Sequence, residues 1–179
     1  SLIDQLPIIL RNNKHEEALA PINRICEQQK AELGEDNQSS LNTRLQLCYP
    51  LAYLGRTEEA VSHLNDVMRY ASTLFGEKNH YMLQVWRESL NIYAMAGLDE
   101  QIEATFDRIF SLLTELGDLD SEFGGEMLDV LGGYYAQTRR YAELDQVIER
   151  QLKYVDKTFG EKSINRAIFL KNMSELNTK

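Results

Sequence analysis

Arg87 and Asn91 are the side chains of this sequence best suited by type and spacing to hold another molecule. They are four residues apart, so on a helix they stand one turn from each other and can face the same ligand. A guanidinium beside a carboxamide can grip a peptide carboxylate or a backbone amide. The plainer reading of the pair is one polar wall of a groove. Tyr49, Tyr53 and Met95 offer anchors for a partner, although aromatics at helical spacing also build cores. Trp86 is expected to pack between helices. Glu122, Glu126 and Asp129 form an acidic stretch on one helix. A solvated face is its default reading, and a patch for a basic partner is the sharper one.

Catalytic groups find no comparable footing. No glycine-rich phosphate loop follows a strand, no histidine pair has metal-binding spacing, and no nucleophile comes with a base and an orienter. His15, His63 and His80 are scattered, and Cys26 and Cys48 lack C-x-x-C spacing. The two thiols read as buried and reduced, with a disulfide between them left open. No enzyme activity, metal or cofactor is expected.

The 179 residues carry a formal charge of −9 and are 43% hydrophobic. That balance argues against tracking nucleic-acid phosphates, which needs a basic face. No apolar run approaches the ~18 residues of a membrane span, and no charged, apolar, small-residue leader opens the chain. The expected partner is a protein or peptide segment, with no nucleic acid and no membrane, in the cytoplasm. Ser1 in place of Met suggests a processed chain or a piece of a longer one.

The elements that must position these side chains repeat. Leu33-Gly34-Glu35-Asp36 returns as Phe75-Gly76-Glu77-Lys78 and as Phe159-Gly160-Glu161-Lys162, so Gly34 to Gly76 is one step of 42 residues and Gly76 to Gly160 is two. Gly55-Arg56-Thr57-Glu58-Glu59-Ala60 keeps the same step to Gly97-Leu98-Asp99-Glu100-Gln101-Ile102. Self-similarity at such a fixed period signals a solenoid, in which each repeat buries its apolar face only against its neighbours.

Each period reads as two helices. Ala60, Leu64, Val67, Ala71 and Leu74 follow the spacing of one helical face, and one period later they become Ile102, Phe106, Ile109, Leu113 and Leu116. Another period gives Leu144, Ile148, Gln151, Val155 and Thr158, where the pattern weakens at Gln151 and Thr158. Ala52, Ala94 and Ala136 recur at one place and are expected at close helix contacts. Gly55 and Gly97 suit left-handed helix ends, and Thr57 and Asp99 suit N-caps. The expected helices are 2–12, 15–33, 38–54, 57–75, 79–96, 99–116, 121–137, 141–158 and 163–176. Pro7, Pro21 and Pro50 fall inside three of them and should kink or shorten those helices. In particular, 15–33 is expected to begin late or bend. Arg139 stands where a turn glycine is expected, and Gly117 comes one residue early in its connector.

Trp86, Tyr93, Gly97, Ile102 and Phe106 resemble the tetratricopeptide repeat, as do Tyr53, Gly55, Ala60 and Leu64 one period earlier and Gly132, Tyr135 and Tyr141 one period later. The common unit of that family is about 34 residues. The 42-residue step with a Leu-Gly-Glu-Asp connector resembles the longer kinesin-light-chain variety. The resemblance implies an all-α, right-handed α-solenoid of antiparallel helix pairs, with about nine helices. It implies one solenoid over 1–179, with repeats near 1–36, 37–78, 79–120 and 121–162, a terminal helix over 163–176, and continuation in a longer chain.

In that family the first helices line a concave groove for a peptide. Carried onto this chain, the groove residues are Asn42, Leu45, Tyr49 and Tyr53, then Gln84, Arg87, Asn91 and Met95, then Glu126, Asp129, Gly133 and Gln137. Arg87 and Asn91 resemble part of a carboxylate clamp, but Leu45 and Tyr49 do not match its other members. The leading expectation is a non-enzymatic peptide-binding scaffold. One alternative is the ligand-sensing module of a bacterial regulator. Another is self-assembly, because helices 2–12 and 163–176 are apolar where a solenoid end needs a polar cap. That second alternative makes the chain a homo-oligomer through its terminal helices.

Overall fold

A computed structural model describes residues 15–34 and 37–176, and side chains as far as Lys171. Eight helices lie among the described residues: α1 (His15–Leu33), α2 (Gln38–Tyr53), α3 (Thr57–Phe75), α4 (His80–Ala96), α5 (Asp99–Leu116), α6 (Glu122–Gln137), α7 (Tyr141–Phe159) and α8 (Ile164–Leu176). No strand occurs among them. The expected helix 2–12, with Pro7, lies outside the described residues. The architecture is an α-solenoid of helix pairs, and the short connections make sequential helices antiparallel. No helix among the described residues is long and apolar enough to cross a membrane.

The described residues fall into two compact units, divided within α5 between Leu112 and Leu113. In the first unit α2 packs on both α1 and α3, and α4 packs on α3 and reaches α2. The repeating apolar face supplies the core. Ala60, Leu64, Val67 and Ala71 are fully buried, and Ile102, Phe106 and Ile109 are their buried equivalents. The face loses cover in the last turn of α3, where Leu74 is 43% exposed. Trp86 is buried as expected, and Ser89 donates its hydroxyl to the Trp86 carbonyl at 2.7 Å. In the second unit α7 packs on α6 and α8 around Met127, Leu128, Leu131, Leu144 and Val147.

Helix ends also keep the period. Asn37 accepts from the Ser40 amide, Asn79 from the Tyr81 and Met82 amides, Ser121 from the Gly124 amide and Ser163 from the Arg166 amide. These four positions are 42 apart. Asn79 also donates to the Phe75 and Gly76 carbonyls at 3.1 and 2.6 Å, closing α3 while it opens α4. The opposite ends use Schellman geometry. Gly97 N–H reaches the Ala94 carbonyl and Leu98 N–H the Tyr93 carbonyl, with Gly97 at φ 68°. Arg139 makes the same pattern at φ 59° without being glycine. Gly117 makes it too, so the shifted glycine ends α5 one residue earlier in its repeat than α3 or α7.

Three local expectations are corrected. Thr57 and Asp99 are the first residues of their helices rather than caps; Arg56 precedes Thr57 and makes no side-chain cap bond. The acidic first turns there compensate, since carboxylates favour the positive end of a helix. Helix α1 begins at His15 rather than late, with Pro21 inside it. The buried residues His15, Ala18 and Leu19 precede that proline, and their packing offsets one lost backbone bond. Of the recurring alanines only Ala52 is buried, whereas Ala94 is exposed and Ala136 half-buried. The buried face of α4 runs through Leu83, Trp86, Leu90 and Tyr93, which turns Ala94 outward.

Candidate functional site

The first unit has a groove of about 560 Å³ between α2 and α4. Helical spacing builds both walls. Asn42, Leu45, Gln46 and Tyr49 succeed one another along α2, and Tyr81, Gln84, Arg87 and Glu88 along α4. Tyr81 donates its hydroxyl to Asn42 Oδ1 at 2.8 Å, closing one end of the groove. Burial raises the Tyr81 pKa, so its hydroxyl stays a donor. Arg87 Nη2 lies 2.8 Å from Glu88 Oε1, and both side chains are partly open to solvent. An ion pair this exposed is worth about 0–1 kcal/mol.

The structure thus brings together Asn42, Leu45, Tyr49, Gln84 and Arg87 from the sequence expectation. It does not bring Tyr53, Asn91 or Met95 to that groove. Tyr53 is 53% exposed and its ring lies against His15, with centroids 3.9 Å apart and the planes tilted by 34°. His15 is itself buried, between Tyr53 and Tyr49. Asn91 and Met95 are exposed farther along α4. Gln46, Tyr81 and Glu88 were missed. Gln46 and Glu88 are one period apart and one turn beyond Asn42 and Gln84, so the repeat itself could have found them.

The second unit has its own cavity, of about 450 Å³. Helix α6 contributes Glu122, Gly125, Glu126 and Asp129, helix α7 Gln151, Tyr154, Val155 and Phe159, and helix α8 Phe169. Gly133 and Gln137, also expected on this face, are exposed and do not line it. Gly125 makes room for Tyr154, because a Cβ there would stand 2.7 Å from the Tyr154 ring. Burial raises the Asp129 pKa, the hydrogen bond from Gln151 partly opposes that rise, and Glu126 adds to it. Lys157 pairs with Asp120, and Arg166 Nε lies 2.7 Å from Asp156 Oδ1. Gln151 and Tyr154 were not expected in a site; the signal for Gln151 was its break of the apolar period.

Among the described residues no group of three or more His, Cys, Asp or Glu side chains could hold a metal ion. Cys48 is buried and unpaired, and burial together with nearby Cys26 pushes its thiol up to about 12. Cys26 is half-buried, also unpaired, and raised by burial.

No family model matches the sequence, and no curated protein matches it either. Solved structures do match. Nearly identical TPR-like repeats of a Podosopora anserina protein named for a kinesin light chain share 14% identity, with a TM-score of 0.82 over 99% of this chain and 84% of that one. A single-substitution variant of those repeats gives 0.81 at the same identity and coverage. BtubC from P. vanneervenii gives 0.63 at 14% identity, over 99% of this chain and 66% of that one. At such identity the likeness is one of fold. The chain has the TPR-like helical-repeat fold of kinesin light chain repeats.

Proposed function

We propose that the chain is a non-enzymatic scaffold that holds an extended protein segment along the groove of α2 and α4. The observation that carries this reading is the groove itself. It combines an exposed tyrosine ring at Tyr49, carboxamides at Asn42 and Gln84, and a partly exposed guanidinium at Arg87. An aromatic anchor with amides suits a peptide backbone, and Arg87 suits a carboxylate on it. The helical-repeat fold supports the reading, because solenoids present long concave surfaces.

The test is selection of peptides from a random displayed library by the intact chain, followed by affinity measurement. Tyr49→Ala with Arg87→Glu should weaken the selected peptides about tenfold or more, the loss of one good anchor contact. Asn91→Ala, off the groove, should change little. Peptides that bind the groove variant undiminished would defeat the proposal.

A second reading, pairing of two copies through α8, is favoured by Ile164, which is 75% exposed, with Ile168 and Leu170 exposed beside it. Light scattering over a concentration series should then show dimers that Ile164→Glu abolishes. A chain monomeric throughout that series excludes the pairing.

A further inference from the structure

Gln151 occupies a position that is apolar and buried in the three preceding repeats, as Ile25, Val67 and Ile109. It is itself only 5% exposed. Its amide nitrogen donates to Asp129 Oδ1 at 2.7 Å, while its carbonyl oxygen has no hydrogen-bond donor. A buried acceptor without a donor is costly, and the three preceding repeats fill this one position with an apolar residue instead. The polar residue therefore serves something other than packing, and it lies on the wall of the cavity of the second unit.

That cavity is lined by acceptors and negative charge. Glu122, Glu126 and Asp129 line it from α6, and the rings of Tyr154, Phe159 and Phe169 line it from α7 and α8. One period earlier the equivalents of Glu126 and Asp129 are Gln84 and Arg87, so these repeat positions change from neutral and positive to negative. Carboxylates with aromatic faces suit a cation, which pairs with the first and stacks on the second. A guanidinium fits best: it is planar, always charged, and carries five donors in a fixed fork. The volume of about 450 Å³ is within the usual range for small-ligand pockets.

We propose that this cavity receives an arginine side chain of a bound polypeptide segment, with Asp129 and Glu122 pairing the guanidinium, the aromatic wall stacking on it, and Gln151 holding Asp129 in place. The proposal rests on the reading of the chain as a peptide-binding scaffold and concerns the cavity of the second unit by itself.

The test uses the intact 15N-labelled chain, titrated with acetyl-Gly-Arg-Gly-amide and with the same peptide carrying citrulline, which keeps the shape and loses the charge. The arginine peptide should shift the Gln151 side-chain amide and the Gly125 and Asp129 backbone amides saturably. Citrulline should bind at least about tenfold more weakly, as should Asp129→Asn combined with Glu122→Gln. Added salt should weaken the arginine peptide and leave citrulline unaffected. Gln151→Leu restores the apolar residue of the other repeats, so it should stay folded and still lose affinity. Equal binding of the two peptides overturns the proposal, and so does the absence of shifts around Gln151. Shifts confined to Tyr81 and Gln84 would leave the groove of α2 and α4 standing and overturn only the arginine subsite.

Discussion

The side-chain amide of Gln151 reaches across 22 residues to Asp129 Oδ1 at 2.7 Å, tying a core position of α7 to the acidic face of α6. The bond favours the ionised carboxylate, but burial and the neighbouring charge of Glu126 outweigh it, so the Asp129 pKa is raised. The folded chain therefore binds this proton more readily than the unfolded chain.

The sign of the pH dependence follows. With a folded pKa above the unfolded one, the contribution of Asp129 to stability is fully present below the unfolded carboxylate pKa and declines as pH rises through the folded value. At neutral pH Asp129→Asn should be more stable than the parent, and the gap should close as pH falls through the carboxylate range. Urea midpoints at a series of pH values measure this. A gap that is constant or widens toward acid would count against it.

Phe106 is 3% exposed in the repeating apolar face. Phe106→Ala should cost ~3–5 kcal/mol in denaturant unfolding, because the ring leaves a cavity that the packed helices cannot close. A loss under ~0.5 kcal/mol, typical of surface positions, would mean that this face is not core.

Arg139 holds a left-handed conformation at φ 59° in a motif that elsewhere uses glycine. Left-handed backbone costs a side-chain-bearing residue roughly 1–2 kcal/mol, partly offset by the greater unfolded freedom of glycine. Arg139→Gly should therefore raise stability by about 0.5–1 kcal/mol, and Gly97→Ala should lower it by a similar or larger amount. Thermal or urea unfolding of the two variants checks both signs together.

Asn79 accepts two backbone amides and donates to two carbonyls. Asn79→Ala should cost about 1–2 kcal/mol, the upper part of the range for an N-cap. Hydrogen exchange at Tyr81 and Met82 should accelerate with it. Unchanged exchange at those amides would show that the cap does not hold the end of α4.

Cys48 should resist a thiol reagent such as dithionitrobenzoate until the chain unfolds, since the thiolate is the reactive form and burial holds the pKa at about 12. Cys26, half-buried, should react first and slowly. Rapid labelling of Cys48 in the native state would contradict its packing.

The sequence by itself determined the helices and the buried face. Both are written in local periodicity: side chains three and four residues apart share a helical face wherever the helix lies. That is why α3 and α5 begin and end where the apolar pattern and the turn glycines place them, and why Phe106 and Ile109 are buried. The caps at 37, 79, 121 and 163 are equally present in the period, as Asn, Asn, Ser and Ser. Only the tertiary structure decided which side chains meet. Asn42 and Tyr81 are 39 residues apart, and their hydrogen bond depends on how α2 and α4 are rotated about their axes. The same rotation leaves Asn91 and Met95 off the groove and turns Tyr53 onto His15. Gln151 showed in the sequence only as a lapse in an apolar series. Its meaning came from the helix packed against it, which places the carboxylate of Asp129 within reach of a residue that the helical pattern assigns to the core.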